Sequence, residues 1–178
     1  MSAAVLRPGL TGRVLRRLCQ ASAVIGGLLL IAIAFVTLAS VAGRVFWSSP
    51  ILGDVELVQL ACAIGLACFL PYTQWQGTNI MVDFFTARAS APNKRRLDAL
   101  GSLLLAAMTG LIGWRTAAGA MAAHEYGETS MLMSIPIWIP YALMVPGLLL
   151  TAVVSLYIAW CTLRFSTMTQ PSRGDPRE

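Results

Sequence analysis

Histidine is nearly absent from this sequence: His124 is the single one in 178 residues. A bis-histidine haem needs axial ligands inside its helices, and one loop histidine cannot supply them. No Ser-His-Asp or Cys-His arrangement can be assembled around it either, and no phosphate-binding glycine loop is present. Four cysteines occur, Cys19, Cys62, Cys68 and Cys161, without a C-x-x-C pair. Metal and disulfide roles therefore lack ligand-spaced partners. Three of the four lie in or at the ends of apolar stretches, where cysteine behaves as a small hydrophobe. No cofactor and no metal are expected. Charge is scarce too, at 12% of residues, about half of the roughly 25% usual in soluble domains. That scarcity excludes a soluble enzyme. Period-2 alternation, the signature of a barrel strand, is missing, as are internal repeats.

What fills the chain is apolar surface. Hydrophobic residues make up 57% of it, and the mean hydropathy is +0.70. The charge that remains is net basic, +5, but it falls in short clusters between long uncharged stretches. Such clusters are topology signals of a membrane protein rather than a nucleic-acid footprint, so no nucleic-acid partner is expected. A helix needs about 20 apolar residues to cross a hydrocarbon core of ~30 Å. Four stretches qualify, and they predict an all-α integral membrane protein with four transmembrane helices. One membrane domain then runs 1–178: a basic leader (1–20), a first span (21–42), a second (51–73), an inner loop (74–96), a third span (97–122), an outer loop (123–134), a fourth span (135–162) and a tail (163–178). The first stretch competes with a secretory signal, because Ser40-Val41-Ala42 resembles a cleavage site. Its 22 uncharged residues exceed the roughly 7–15 of a signal core, which favours a span.

Orientation follows from lysine and arginine. The leader carries Arg7, Arg13, Arg16 and Arg17, and the inner loop carries Arg88, Lys94, Arg95 and Arg96. The tail carries Arg164, Arg173 and Arg177. Only Arg44 falls in the first outer loop, while Arg115 lies inside the third span. Both termini are thus expected in the cytoplasm. Aromatic residues mark the interfaces: Trp138 and Tyr141 open the fourth span, Tyr157 and Trp160 close it, and Tyr72 with Trp75 end the second. In the inner loop, Ile80, Met81, Phe84 and Phe85 recur at helical spacing beside Asp83 and Arg88, as in a short amphipathic segment lying in the interface. Lys94, Arg95 and Arg96 sit where they oppose a helix dipole, so they are read as an anchor to anionic membrane lipids.

Two intramembrane charges stand out, Glu56 near the start of span 2 and Arg115 in span 3. Such residues are functional candidates by default. One reading gives them a coupling ion or an anionic substrate. The other, favoured because both reach toward the outer interface, makes them a structural ion pair, with Arg115 meeting Glu56, Asp54 or Glu125. Small residues recur at packing spacing: Ala61 with Gly65, Ala106 with Gly110, and Gly113 with Ala117. They allow close helix approach within the chain or against a larger membrane partner.

Several runs resemble a known family. Gly43-Arg44-Val45-Phe46, then Ser49-Pro50, then Glu56 resemble the first outer loop of the small membrane subunit of tripartite ATP-independent periplasmic (TRAP) transporters. Gly77-Thr78-Asn79-Ile80-Met81-Val82-Asp83 resembles the glycine, histidine and aspartate pattern after its second span. Ser134-Ile135-Pro136-Ile137-Trp138-Ile139-Pro140-Tyr141, followed by Pro146-Gly147, resembles the entry to its fourth. The family-pattern positions here are Gly77, Asn79, Asp83, Pro136, Trp138, Tyr141, Pro146 and Gly147. Asn79 departs from the pattern, since it stands where histidine is common and cannot titrate near neutral pH.

The resemblance implies one part of a three-part importer in the bacterial inner membrane. A periplasmic solute-binding protein captures a dicarboxylate or other organic acid. A large multispan permease subunit carries it inward on an ion gradient, typically sodium. The small subunit braces the scaffold of the large one and holds no substrate or ion site. Its outer loops face the periplasm, and Arg44, Glu125 and Glu128 are rim charges of the kind that steer docking of the binding protein. Alternatives remain: a self-sufficient homodimeric transporter using Glu56, a membrane anchor for a redox enzyme, and an assembly factor without a transport partner.

Overall fold

In a computed structural model, residues 10–47, 53–76 and 91–166 are described. They form four helices: α1 (Leu10–Trp47), α2 (Asp54–Gln76), α3 (Ala91–Glu125) and α4 (Trp138–Ser166). Each is long and apolar enough to cross a membrane. A helix satisfies its backbone internally, the only option besides a closed barrel in a medium without water. Helix α1, with 38 residues, rises ~57 Å and so extends well past its uncharged stretch, which puts Arg13, Arg16 and Arg17 on its early turns. Pro92 falls in the first turn of α3, where a missing N–H costs nothing. Residues 77–90, which carry the expected amphipathic segment, lie outside the described residues.

The helices pack in the order α1–α2–α4–α3. Specific approaches set their directions. Ser22 and Gly26 of α1 meet Cys68 and Gly65 of α2, so this pair is antiparallel. Gly147 of α4 meets Ala67 of α2, and further along Tyr157 meets Trp75; α2 and α4 therefore run parallel. Gly113 of α3 lies against Leu148 and Leu149 of α4, and Gly119 faces Tyr141, which makes that pair antiparallel. The beginning of α1 and the end of α4 consequently share one end of the bundle, where Gly12 lies beside Tyr157 and Trp75.

Side chains from three helices close that end. Cys19 and Val154 are fully buried and Trp75 nearly so, with Leu15, Tyr72, Leu150, Tyr157 and Ile158 packed around them. Trp75 stacks on Tyr157 at 6.3 Å between ring centroids and 13° between planes. Trp75 thus packs into protein, whereas Trp160 is 65% exposed. The difference arises because Gly12 of α1 leaves room for the two rings. Most other large apolar side chains point outward, as they must when the surrounding solvent is lipid.

Candidate functional site

The polar residues collect where α1 ends and α2 begins. Gly53 takes φ +83°, a left-handed conformation that costs a side-chain-bearing residue, and its carbonyl accepts the Leu57 N–H at 3.1 Å. Asp54 follows as the first residue of α2, where the positive end of the helix dipole favours a carboxylate. Its Oδ1 accepts the Val55 N–H at 2.8 Å. Its Oδ2 accepts the hydroxyl of fully buried Ser40 at 2.7 Å, and Arg44 approaches the same oxygen at 3.4 Å. The junction between the first two spans is therefore pinned by one carboxylate held from both helices.

Those contacts differ in worth. Ser40 is sealed from solvent, so losing its acceptor leaves a buried hydroxyl unsatisfied. The Arg44 side chain is 59% exposed, and an exposed pair contributes little. An Asp54→Ala protein is expected to melt several degrees below wild type in detergent, while Arg44→Gln leaves the melting temperature nearly unchanged. Thermal unfolding followed by near-UV circular dichroism checks the ranking. Equal losses would show that the ion pair, not the Ser40 bond, holds the junction.

Glu56 lies in the first turn of α2, and its Oε2 is buried with no hydrogen-bond partner among the described residues. The structure does not bring Arg115 to it. Arg115 is on the exposed side of α3, and α3 joins the bundle through α4 rather than α2. Among the described residues the ion pair that forms is Arg44 with Asp54. Sequence reasoning missed Ser40 as a partner in this cluster; its small polar side chain inside an apolar run was the available signal.

Between α3 and α4, residues 126–137 fold back as a tight hairpin. The Ser130 N–H bonds the Ile135 carbonyl at 2.9 Å, and the Ile137 N–H bonds the Glu128 carbonyl at 3.1 Å; Thr129 and Pro136 form a bridge. The hairpin turns Met133 onto Gly53, which ties it to the start of α2. Glu125 and Glu128 are exposed beside it. His124 packs edge-on against Trp138 at 5.2 Å, joining the end of α3 to the start of α4.

Four of the five described members of the fourth-span pattern meet other parts of the chain. Pro136 closes the hairpin, Trp138 receives His124, Tyr141 faces Gly119 and Gly147 admits the Ala67 carbonyl. Pro146, just before Gly147, lacks the N–H that would bond one turn back. Gly77, Asn79 and Asp83 lie outside the described residues. Lys94, Arg95 and Arg96 fall on the first two turns of α3. The small-residue pairs are consumed inside the chain: Gly65 faces Leu30, Gly110 faces Ala152, and Gly113 faces Leu148 and Leu149.

Among the described residues no group of three or more His, Cys, Asp or Glu could hold a metal ion. What the arrangement does is fasten helices. A family model for the DctQ component of tripartite ATP-independent periplasmic transporters matches residues 33–165. The comparisons with curated proteins and with solved structures return no match.

Proposed function

Because the chain belongs to the DctQ family of tripartite ATP-independent periplasmic transporters, we propose that it braces the large permease subunit during uptake of an organic acid. The family makes it a small component of such a transporter, a multi-pass protein of the inner membrane. Within that frame the solute is a dicarboxylate or another carboxylate-bearing molecule, delivered by a periplasmic binding protein and driven inward by an ion gradient. Both termini and the inner loop lie in the cytoplasm, a reading that the eleven-to-one distribution of basic residues supports. The basic run Lys94-Arg95-Arg96 anchors the chain to anionic lipids. Arg44, Glu125 and Glu128 form the periplasmic rim against which the binding protein docks.

The observation that carries the scaffold reading is the use of the motif residues. Pro136, Trp138, Tyr141 and Gly147 each meet another part of the chain, which is what a scaffold subunit asks of them. Transporters that move their own substrate build a midplane site from broken helices or inverted repeats, and the sequence shows neither. Mild-detergent purification of the tagged chain from its native membrane, with mass spectrometry of what accompanies it, tests the reading. A large multispan protein in about equal amount is the expected result. A chain recovered alone, or only with itself, would overturn it.

One observation favours a second reading, a homodimer that transports by itself: the buried, unpartnered Oε2 of Glu56. The two readings separate on one substitution. Under the scaffold reading, Glu56→Gln keeps a hydrogen-bonding group of the same shape and changes uptake by the assembled transporter less than about twofold. Under the second, the loss of a titratable group abolishes uptake by this chain alone. Radiolabelled solute uptake into proteoliposomes, with and without the large subunit, reads both.

A further inference from the structure

Arg115 occupies an unusual place. The apolar part of α3 runs from Ala99 to Glu125, about 40 Å at 1.5 Å per residue, and Arg115 lies three residues, or roughly 5 Å, past its middle. Side chains on a helix tilt toward its N-terminus, and the nearer end of α3 is its C-terminus. Snorkelling toward the nearer interface therefore runs against the direction in which the side chain leaves the backbone.

Among the described residues no carboxylate lies at this depth. Helix α4, the neighbour of α3, has no Asp or Glu from Trp138 to Ser166. On α3 itself the acids are Asp98 and Glu125, seventeen and ten residues away. Asp54 and Glu56 stand on α2, whereas α3 is packed on α4, and Asp54 is taken by Ser40 and Arg44. Rotation of α3 cannot turn the charge inward either. Its opposite face, with Gly110 and Gly113, is seated against α4. The outward face combines Arg115 with Leu104, Met108 and Leu111 at helical spacing, and these three are 64%, 52% and 59% exposed.

We propose that this face of α3 is where the large permease subunit covers the chain, and that Arg115 there meets a carboxylate of that subunit. The inference rests on the scaffold reading and deepens it by naming the contact. A guanidinium in hydrocarbon is costly unless it is paired. A carboxylate binds it best, through two parallel hydrogen bonds, and lipid tails supply none; among the described residues none is within reach. The apolar residues around Arg115 keep water from the pair and raise the cost of breaking it.

The test uses the full transporter in native membranes. The photocrosslinker p-benzoylphenylalanine is placed at Leu104 or Leu111, and at Phe35 on the outward side of α1 as a contrast. Ultraviolet-dependent adducts containing the large subunit are expected from the two α3 positions. Separately, Arg115→Leu should lower co-purification of the large subunit at least about tenfold, because it strands a buried carboxylate. Arg115→Lys retains a cation and should lose less. Adducts from Leu104 and Leu111 to lipid alone, or to a second copy of this chain, would overturn the proposal. So would wild-type recovery with Arg115→Leu. Adducts to the large subunit from Phe35 alone would overturn it and leave the scaffold reading standing, whereas absence of the large subunit from the wild-type purification would overturn both.

Discussion

A Gly147→Val protein is expected to lose the close contact between α2 and α4 and to be strongly destabilised. A Cβ at position 147 would collide with the Ala67 carbonyl and crowd the Cys68 amide nitrogen. Both are backbone atoms of a helix, so neither can swing aside as a flexible side chain does. Relief requires α2 and α4 to separate, and that separation also pulls on Trp75 and Tyr157 further along the same interface. Overpacking costs about 1–3 kcal/mol, occasionally more, and a contact between two helix backbones belongs at the upper end. Gly147→Ala should show a smaller loss in the same direction. Gly119→Ala supplies the contrast, since its Cβ would meet Tyr141 only at ordinary contact distance, 3.9 Å. Alanine there gains up to about 1 kcal/mol of helix propensity, so the expected sign is opposite. Detergent unfolding curves of the three variants decide it. A Gly147→Val protein that melts with wild type would mean that α2 and α4 do not approach closely at this point.

The second large effect is expected from Trp75→Ala. Trp75 is 9% exposed and belongs to the cluster with Cys19 and Val154 that joins α1, α2 and α4. Removing a buried tryptophan costs about 3–5 kcal/mol through lost contacts and the cavity left behind. The stacked Tyr157 loses its partner as well. Since α1 meets α4 only slightly elsewhere, the loss should free the first turns of α1 before the rest unfolds. Hydrogen exchange over residues 10–20 reads that local opening, and protection there should fall while residues 138–160 change less. Uniform loss across all four helices would instead show that the cluster unfolds with the whole bundle. Trp75→Phe, which keeps a ring in the space, should recover much of the stability.

The four spans were legible because length and uncharged runs answer to the bilayer alone. Residues 21–42 and 135–162 contain no charge, and any such run must be helical and intramembrane whatever its neighbours are. The fourth-span pattern was legible as a resemblance, but its meaning was not. Pro136, Trp138, Tyr141 and Gly147 look alike on paper, as aromatic or helix-breaking residues near an interface. Their partners, Thr129, His124, Gly119 and Ala67, come from three different segments. The small-residue pairs were likewise visible as packing faces, though spacing does not say against what. Gly65 could have faced another protein; it faces Leu30.

Charge pairing was the least legible feature. Arg115 and Glu56 both stand inside apolar segments, and along the chain nothing separates them from a pair. Their distance depends on which helices are adjacent, and the order α1–α2–α4–α3 places α4 next to both α2 and α3. Asp54 seemed one acid among two at the start of α2, yet Ser40 of α1 selects it. By itself, then, the sequence determined the number of spans, their helical character and the unequal distribution of basic residues, since these follow from the solvent and from local hydrogen bonding. Which carboxylate is held, which glycines touch backbone and which face of α3 stays uncovered were decided only by the tertiary structure, because contacts between helices depend on shape brought together from distant parts of the chain.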